Sequence, residues 1–232
     1  MGVTPLTARA HVFVADLAAA RLDESDQHHL ARVLRLPPGS QVTVADGAGR
    51  WRPARLTGGP EVTDAGRIVV DPRPAPELTV AFALVKGERP ESIVQKLTEL
   101  GIDRIVPFVA ERSVVRWDEA KIGRQHARMT DIARQAAMQC RRTWLPQVDR
   151  LTSFEAVAGI GGATMADLGG APPRLDAPVV LVGPEGGWSE RESAAGLPRV
   201  GVGANVLRAD TAAVTVGALL AALRSKLVAE RH

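Results

Sequence analysis

The segment Val182-Gly183-Pro184-Glu185-Gly186-Gly187-Trp188-Ser189 is the sharpest chemical feature of this sequence. It follows the most apolar run in the chain, PVVLVG (178–183), and leads into residues 189–197, where Ser189 and Glu192 have the spacing of a capping box. Glycine tolerates positive φ and lets the main chain approach a ligand closely. In open α/β sheets, ligands sit beyond the carboxyl ends of the strands. Backbone N–H and C=O groups here can therefore read the edge of a nucleoside, although an ordinary tight strand-to-helix turn has the same composition. The pattern is not Gly-x-Gly-x-x-Gly and carries no Lys-Ser/Thr, which argues against a P-loop phosphate cradle. A second cluster, Val206-Leu207-Arg208-Ala209-Asp210-Thr211-Ala212, puts an arginine, a carboxylate and a hydroxyl at a helix start. It is either a ligand loop or a place where Asp210 or Thr211 merely caps the helix. Val85-Lys86-Gly87-Glu88-Arg89 and Glu111-Arg112-Ser113 each follow a strand; these charges line a cleft or face solvent. The histidines (His11, His28, His29, His126, His232) show no ligand spacing and Cys140 has no partner motif, so no metal is expected.

The elements that must position these residues divide into two groups. In the first, HVFV (11–14), SQVTVAD (40–46), RWRPARL (50–56) and GRIVVD (66–71) are short strand-like runs, with Gly47-Ala48-Gly49 as a hairpin turn. One helix is predicted over 24–35, capped by Ser25 and stopped by Pro37-Pro38-Gly39. Several strands with one helix suggest a small barrel. The alternating prolines of Asp71-Pro72-Arg73-Pro74-Ala75-Pro76 predict a stiff connector. The expected division is a β-domain over 1–72, a linker over 73–77 and a second domain over 78–232. In the latter, strands are expected at 78–85, 104–109, 163–168, 178–183 and 200–203. Helices are expected at 90–100, 118–140 (capped by Asp118), 189–197 and 211–228. This alternation predicts an α/β fold with a mostly parallel sheet covered on both faces.

The 232 residues carry a net charge of +3, with 45% hydrophobic and 24% charged residues, an ordinary globular composition. The charge is unevenly spread: residues 78–150 hold 13 Lys/Arg against 9 Asp/Glu, and 28–55 contains Arg32, Arg35, Arg50, Arg52 and Arg55 against Asp46 alone. Two local basic surfaces suit a phosphate-rich partner or are solvated faces. No run is long and apolar enough for a membrane span, the first residues lack a secretory core, and there is one cysteine, so a cytoplasmic setting without a membrane partner is expected.

Taken in order, KGER, QKLTELGIDRIVPFVAERS, QCRRTWLP, LVGPEGGWSERE and VLRADTA resemble the bacterial ribosomal RNA small subunit methyltransferase E family, enzymes of the SPOUT class that methylate N3 of a uridine in 16S ribosomal RNA. Arg9, HHLARVLRLPPG and ADGAGR extend the resemblance over nearly the whole chain. It implies a trefoil-knotted catalytic domain that binds S-adenosylmethionine, a PUA-like RNA-binding barrel at the N-terminus, a homodimer, and 16S rRNA of the small ribosomal subunit as partner. By the same resemblance Leu181, Gly183, Pro184, Glu185, Gly186 and Gly187 form one cofactor loop. Val206, Leu207, Arg208, Thr211 and Ala212 form the other, and Leu84 and Val85 border the adenosine. The sequence departs from the family pattern at Asp210, where Glu is usual, at Met138, where Glu is frequent, and at Asn205, where Arg or His is frequent.

Methyl transfer to uracil N3 requires a proton to leave, and negative charge spreads onto the flanking carbonyl oxygens. Arg112 or Arg208 is expected to stabilise that charge, and Glu185 or Asp210 to accept the proton. Arg9, Arg32, Arg35, Lys86, Arg89 and Arg142 are the expected RNA contacts. The sequence has four Trp, four Phe and no Tyr, so affinity should rest on arginine–phosphate contacts more than on stacking. The rival readings are another enzyme of the same class, acting on transfer RNA or a ribose hydroxyl, and a non-catalytic RNA-binding protein on the same scaffold.

Overall fold

A computed structural model describes residues 3–64, 66–87 and 89–229. Glu88 of the KGER segment lies outside them. The chain forms two compact units: one holds the residues up to Arg73 together with Arg134–Leu145, the other Pro74–Ala133 and the residues from Pro146 onward. Arg134–Leu145, expected in the second domain, counts with the first unit.

The first unit is built on β1 (Ala10–Phe13), β2 (Gln41–Ala45), β3 (Arg50–Leu56), β4 (Val62–Asp64) and β5 (Val69–Val70). The strands pair in the order β1-β2-β3-β4, with β5 also on β3; β1 and β2 run parallel and the other pairs antiparallel. Alternating side chains of β1–β3 bury Val12, Val42, Val44 and Ala54 with Leu22 and Leu30 in one cluster. The expected 24–35 helix is α1 (Glu24–His28), followed without a break by a π-helical turn over His29–Val33. Its cap is Asp23, whose carboxylate accepts from Asp26 N at 2.7 Å, so the expected Ser25 cap is corrected. The helix begins two residues earlier than that assignment allows, and Asp serves as well as Ser at such a position. The expected strand over 66–71 is cut down to β5, and β4 lies ahead of it.

The second unit contains β6 (Thr79–Ala83), α2 (Arg89–Glu99), β7 (Arg104–Val109), α3 (Glu119–Cys140), β8 (Gln147–Val148), β9 (Thr152–Ser153), α4 (Phe154–Ala158), β10 (Ala163–Ala171), β11 (Val179–Val182), α5 (Glu190–Ser193), β12 (Arg199–Val200) and α6 (Ala209–Arg224); the last turns of α3 count with the first unit. Its sheet runs β12-β10-β11-β6-β7-β8, with β9 also on β7, and every pair is parallel. Two clusters flank the sheet, as fully buried parallel strands demand. One joins Val80, Phe82, Val180 and Val182 to Ile93 and Leu97 of α2 and to Ala213, Val216 and Leu220 of α6. The other joins Ala81, Phe108, Met165 and Leu181 to Phe154 and Val157 of α4. The prediction of a parallel α/β sheet with helices on both faces matches this architecture.

Candidate active site

Three loops leave the carboxyl ends of adjacent strands in this sheet: 84–87 after β6, 110–113 after β7 and 183–188 after β11. The neighbours are fixed by register, since Val182 pairs with Phe82 and Ala83 with Phe108. Leu84 and Val85 are buried at the end of β6, and Lys86 is exposed. Leu181 is fully buried, Pro184 is buried, and Glu185, Gly186 and Gly187 are exposed. The turn closes on Gly187 N donating to Pro184 O at 2.9 Å, with Gly187 at φ +70°, where a side chain would strain the backbone. Gly183 answers a different demand: a Cβ there would come within 2.9 Å of the Trp188 ring, so the indole fills the space beside it. That indole stacks on Phe108, with centroids 6.2 Å apart, and its Nε1 donates to Ala166 O at 3.0 Å. Trp188 is therefore a wedge fixing the loop, a role the sequence reading did not assign; its place directly after the glycines was the available signal.

The loops after β7 and β11 are tied together by side chains. Arg112 donates from Nη1 to Gly186 O at 3.1 Å, and a Cβ on Gly186 would lie 3.3 Å from Arg112 Cβ. Arg89, at the start of α2, pairs with Glu185 at 2.7 Å. Two residues assigned separate roles from the sequence, RNA contact and proton acceptor, thus meet in one ion pair.

The 206–212 segment has a different character. Val206 is 86% exposed, and Arg208 is exposed as well. Among the described residues, no hydrogen bond within the chain uses the backbone of Gly203–Leu207. Such a run of free N–H and C=O groups is open to solvent or to a ligand. Helix α6 starts at Ala209 with Arg208 as N-cap and no side-chain cap bond. Neither Asp210 nor Thr211 caps the helix, so the bland alternative for this segment does not hold. Asp210 Oδ1 is buried without a hydrogen-bond partner, and the nearest cation is Arg208 Nε at 3.9 Å. Thr211 is exposed and Ala212 half-buried. Ala209 and Ala213 share one apolar cluster with Val182 and Val85, and α6 packs on both β6 and β11. The helix carrying Asp210 is thereby joined to the strands that feed the other loops.

Glycine turns, a free backbone run and an orphaned carboxylate oxygen suit a ligand with a nucleoside edge and a positive charge, which is the chemistry of S-adenosylmethionine. A groove of about 470 Å³ lies elsewhere in this unit, lined by residues such as Arg104, Val148, Arg150 and Ile160, and none of the three loops borders it. The described residues contain no group of His, Cys, Asp and Glu able to hold a metal ion. No helix among them is long and apolar enough to cross a membrane.

The remaining expected RNA contacts lie in the first unit. Arg9, Arg32 and Arg35 are exposed, with Arg35 at φ 51° just past the π-helical turn. Arg142 is half-buried and its carbonyl accepts from His11. Arg141, which carried no expected role, donates from its guanidinium to the carbonyls of Pro5, Ala8 and Arg9, and so holds the segment bearing Arg9.

The chain is similar to known proteins along most of its length. Residues 72–221 match the model of an RNA methyltransferase domain, and residues 22–61 that of an RNA methyltransferase PUA domain. The chain is 34% identical over 226 residues to ribosomal RNA small subunit methyltransferase E of Mycobacterium bovis, covering 87% of this chain and 86% of that protein. It is 34% identical over 233 residues to the same-named protein of Synechocystis, covering 89% of this chain and 74% of the relative. Among solved structures, the Neisseria gonorrhoeae ribosomal RNA small subunit methyltransferase E bound to S-adenosyl methionine superposes with a TM-score of 0.77 at 26% identity, covering 92% of this chain and 97% of that one. With one family model spanning most of the chain and relatives 34% identical over most of both sequences, the chain belongs to the ribosomal RNA small subunit methyltransferase E family.

Proposed function

We propose that this chain, acting as a cytoplasmic homodimer, uses S-adenosylmethionine to methylate N3 of one uridine in 16S ribosomal RNA. The single observation that carries the reading is the free backbone of 203–207 running into a helix start where Asp210 keeps a buried oxygen without a hydrogen bond. S-adenosylmethionine supplies an electrophilic methyl group when bound. Leu84, Val85, Leu181, Gly183, Pro184, Gly186, Gly187, Val206, Leu207, Thr211 and Ala212 would enclose it, through backbone polar groups and apolar contact. The knotted path implied by the family resemblance belongs to this reading.

The protein's own chemistry then concerns one proton and one delocalised charge. Uracil N3 must lose its proton, and the charge spreads onto the flanking carbonyl oxygens. Of the two carboxylates, Glu185 is exposed and hydrogen-bonded by Arg89 at 2.7 Å, whereas Asp210 Oδ1 is buried without a hydrogen bond, which favours Asp210 as proton acceptor. Of the two arginines, Arg112 is oriented by its bond to Gly186 O, and a preorganised donor stabilises developing charge better than one that must first be ordered. Arg208 would then sit against the cofactor. Arg9, Arg32, Arg35 and Arg142 of the first unit, with Lys86 and Arg89 of the second, would hold the RNA phosphates.

The deciding experiment maps modified nucleosides in ribosomal RNA from cells lacking the protein and from cells complemented with it. One N3-methyluridine in 16S RNA should be missing and then restored. A mark lost instead from transfer RNA or from a ribose hydroxyl would overturn the substrate assignment. Arg112→Ala should lower kcat by about 100-fold, the usual cost of losing one donor to a developing oxyanion.

A further inference from the structure

Glu192 lies in the short helix after the cofactor turn, and its carboxylate does two unrelated things. Oε2 accepts from Ser189 N at 2.9 Å, while Glu192 N donates back to Ser189 Oγ at 3.1 Å, which completes the capping box of α5. Oε1 accepts from Glu111 N at 2.9 Å, across 81 residues of sequence. Glu111 immediately precedes Arg112. The side chain is 3% exposed. A buried carboxylate costs free energy unless its oxygens are hydrogen-bonded, and here each oxygen takes one backbone N–H, one from each of two loops. A helix cap needs only the first of these bonds; the second has no capping purpose.

We propose that Glu192 is a positioning residue that sets the spacing between the loop carrying Arg112 and the Pro184–Gly187 turn. It touches neither substrate nor cofactor. It acts through Arg112, whose guanidinium meets Gly186 O only if the two loops keep their separation. Within the first of these loops, Arg116 donates to Ser113 O and Glu111 O. The inference rests on the proposed role of Arg112 in methyl transfer.

Glu192→Gln separates the two bonds, because an amide offers one acceptor oxygen and sets an N–H₂ donor against the other backbone N–H. Ser189→Ala is the control: it weakens the cap of α5 and leaves both carboxylate bonds possible. Purified wild type and both variants are compared by single-turnover methylation of 16S RNA, by calorimetry with S-adenosylmethionine and by thermal melting. Glu192→Gln should lose about 10- to 100-fold in methyl-transfer rate, the range expected when a catalytic group is slightly misplaced. Ser189→Ala should lower Tm and keep the rate. In a double-mutant cycle, Glu192→Gln should add little to Arg112→Ala, because Glu192 acts only through that side chain. A Glu192→Gln rate within twofold of wild type, or an equal rate loss in Ser189→Ala, would overturn the proposal and leave Glu192 a helix cap. Should Glu192→Gln not fold, amide exchange in the wild type decides: Glu111 N–H and Ser189 N–H should be protected together, and a Glu111 amide exchanging at the rate of an open loop overturns the link. Wild type that neither binds S-adenosylmethionine nor methylates RNA would sink the functional reading itself, a result separate from a variant that behaves like wild type.

Discussion

His11 shows how much one buried side chain can commit. Its ring is 2% exposed, with Nδ1 2.8 Å from Thr43 Oγ1 and Nε2 2.9 Å from Arg142 O. A carbonyl only accepts, so Nε2 carries the proton and Nδ1 takes one from the threonine hydroxyl. Burial lowers the pKa to about 4, against the opposing bond to the Arg142 carbonyl. In the unfolded chain the ring titrates near its ordinary value of about 6.5. Between those values the unfolded state binds more protons, so stability is complete above the upper one and falls as pH drops toward the lower. Acidification from pH 7 to 4 should remove about 3 kcal/mol through this one group. Urea titrations across that range check it, and His11→Gln should show a flatter dependence. Wild type and variant with parallel profiles would contradict the assignment. At this scale the sequence showed which residues carry chemistry more readily than how they pair. Lone charges such as Arg89 and Glu185 were visible, but their ion pair spans 96 residues and leaves no local trace. Glu192 was legible only as half of a capping box, because its other partner is not local either.

Among the elements, α6 against α2 gives the cleanest test of packing over propensity. Gly217 sits inside α6, and a Cβ there would come within 2.6 Å of Leu97 Cδ2 and 3.4 Å of Leu100 Cδ1. Alanine in a helix interior is favoured over glycine by about 1 kcal/mol, whereas overfilling a packed contact costs about 1–3 kcal/mol. Gly217→Ala should therefore destabilise the protein despite its better propensity, measured as a lower denaturant midpoint; a higher midpoint would show that α2 yields easily. Long periodic elements were readable because their pattern repeats: α2, β7 and α3 fall within a residue or so of expectation. Short ones were not. β8 and β9 are two residues each and α4 is five, too few to hold a period. The π-helical turn was also unreadable, since His29–Val33 carries the same apolar spacing that an α-helix would.

On the scale of the whole molecule, the parallel sheet follows from the alternation of apolar runs, but the strand order and the return of Arg134–Leu145 to the first unit do not. β12-β10-β11-β6-β7-β8 reflects which strands lie side by side, a non-local choice that neither period nor composition encodes. The proposed division of labour predicts separable losses. Arg32→Ala combined with Arg35→Ala should weaken RNA binding and lower the salt slope by about one for each phosphate contact removed. Affinity for S-adenosylmethionine should stay at the wild-type value. Anisotropy with an RNA fragment and calorimetry with S-adenosylmethionine read the two separately, and equal loss in both would count against the division.

The first unit draws on Arg134–Leu145, far along the chain from the rest of it. Ala137 packs with Phe13, Ala45 and Trp51, Arg134 pairs with Asp26 at 2.5 Å, and Thr143 donates to Asp71 at 2.7 Å. During synthesis, the β-strands of this unit therefore leave the ribosome before the residues that finish their core have been translated. A nascent chain arrested near residue 100 should be digested readily by protease in its N-terminal half, and one arrested well beyond residue 145 should resist.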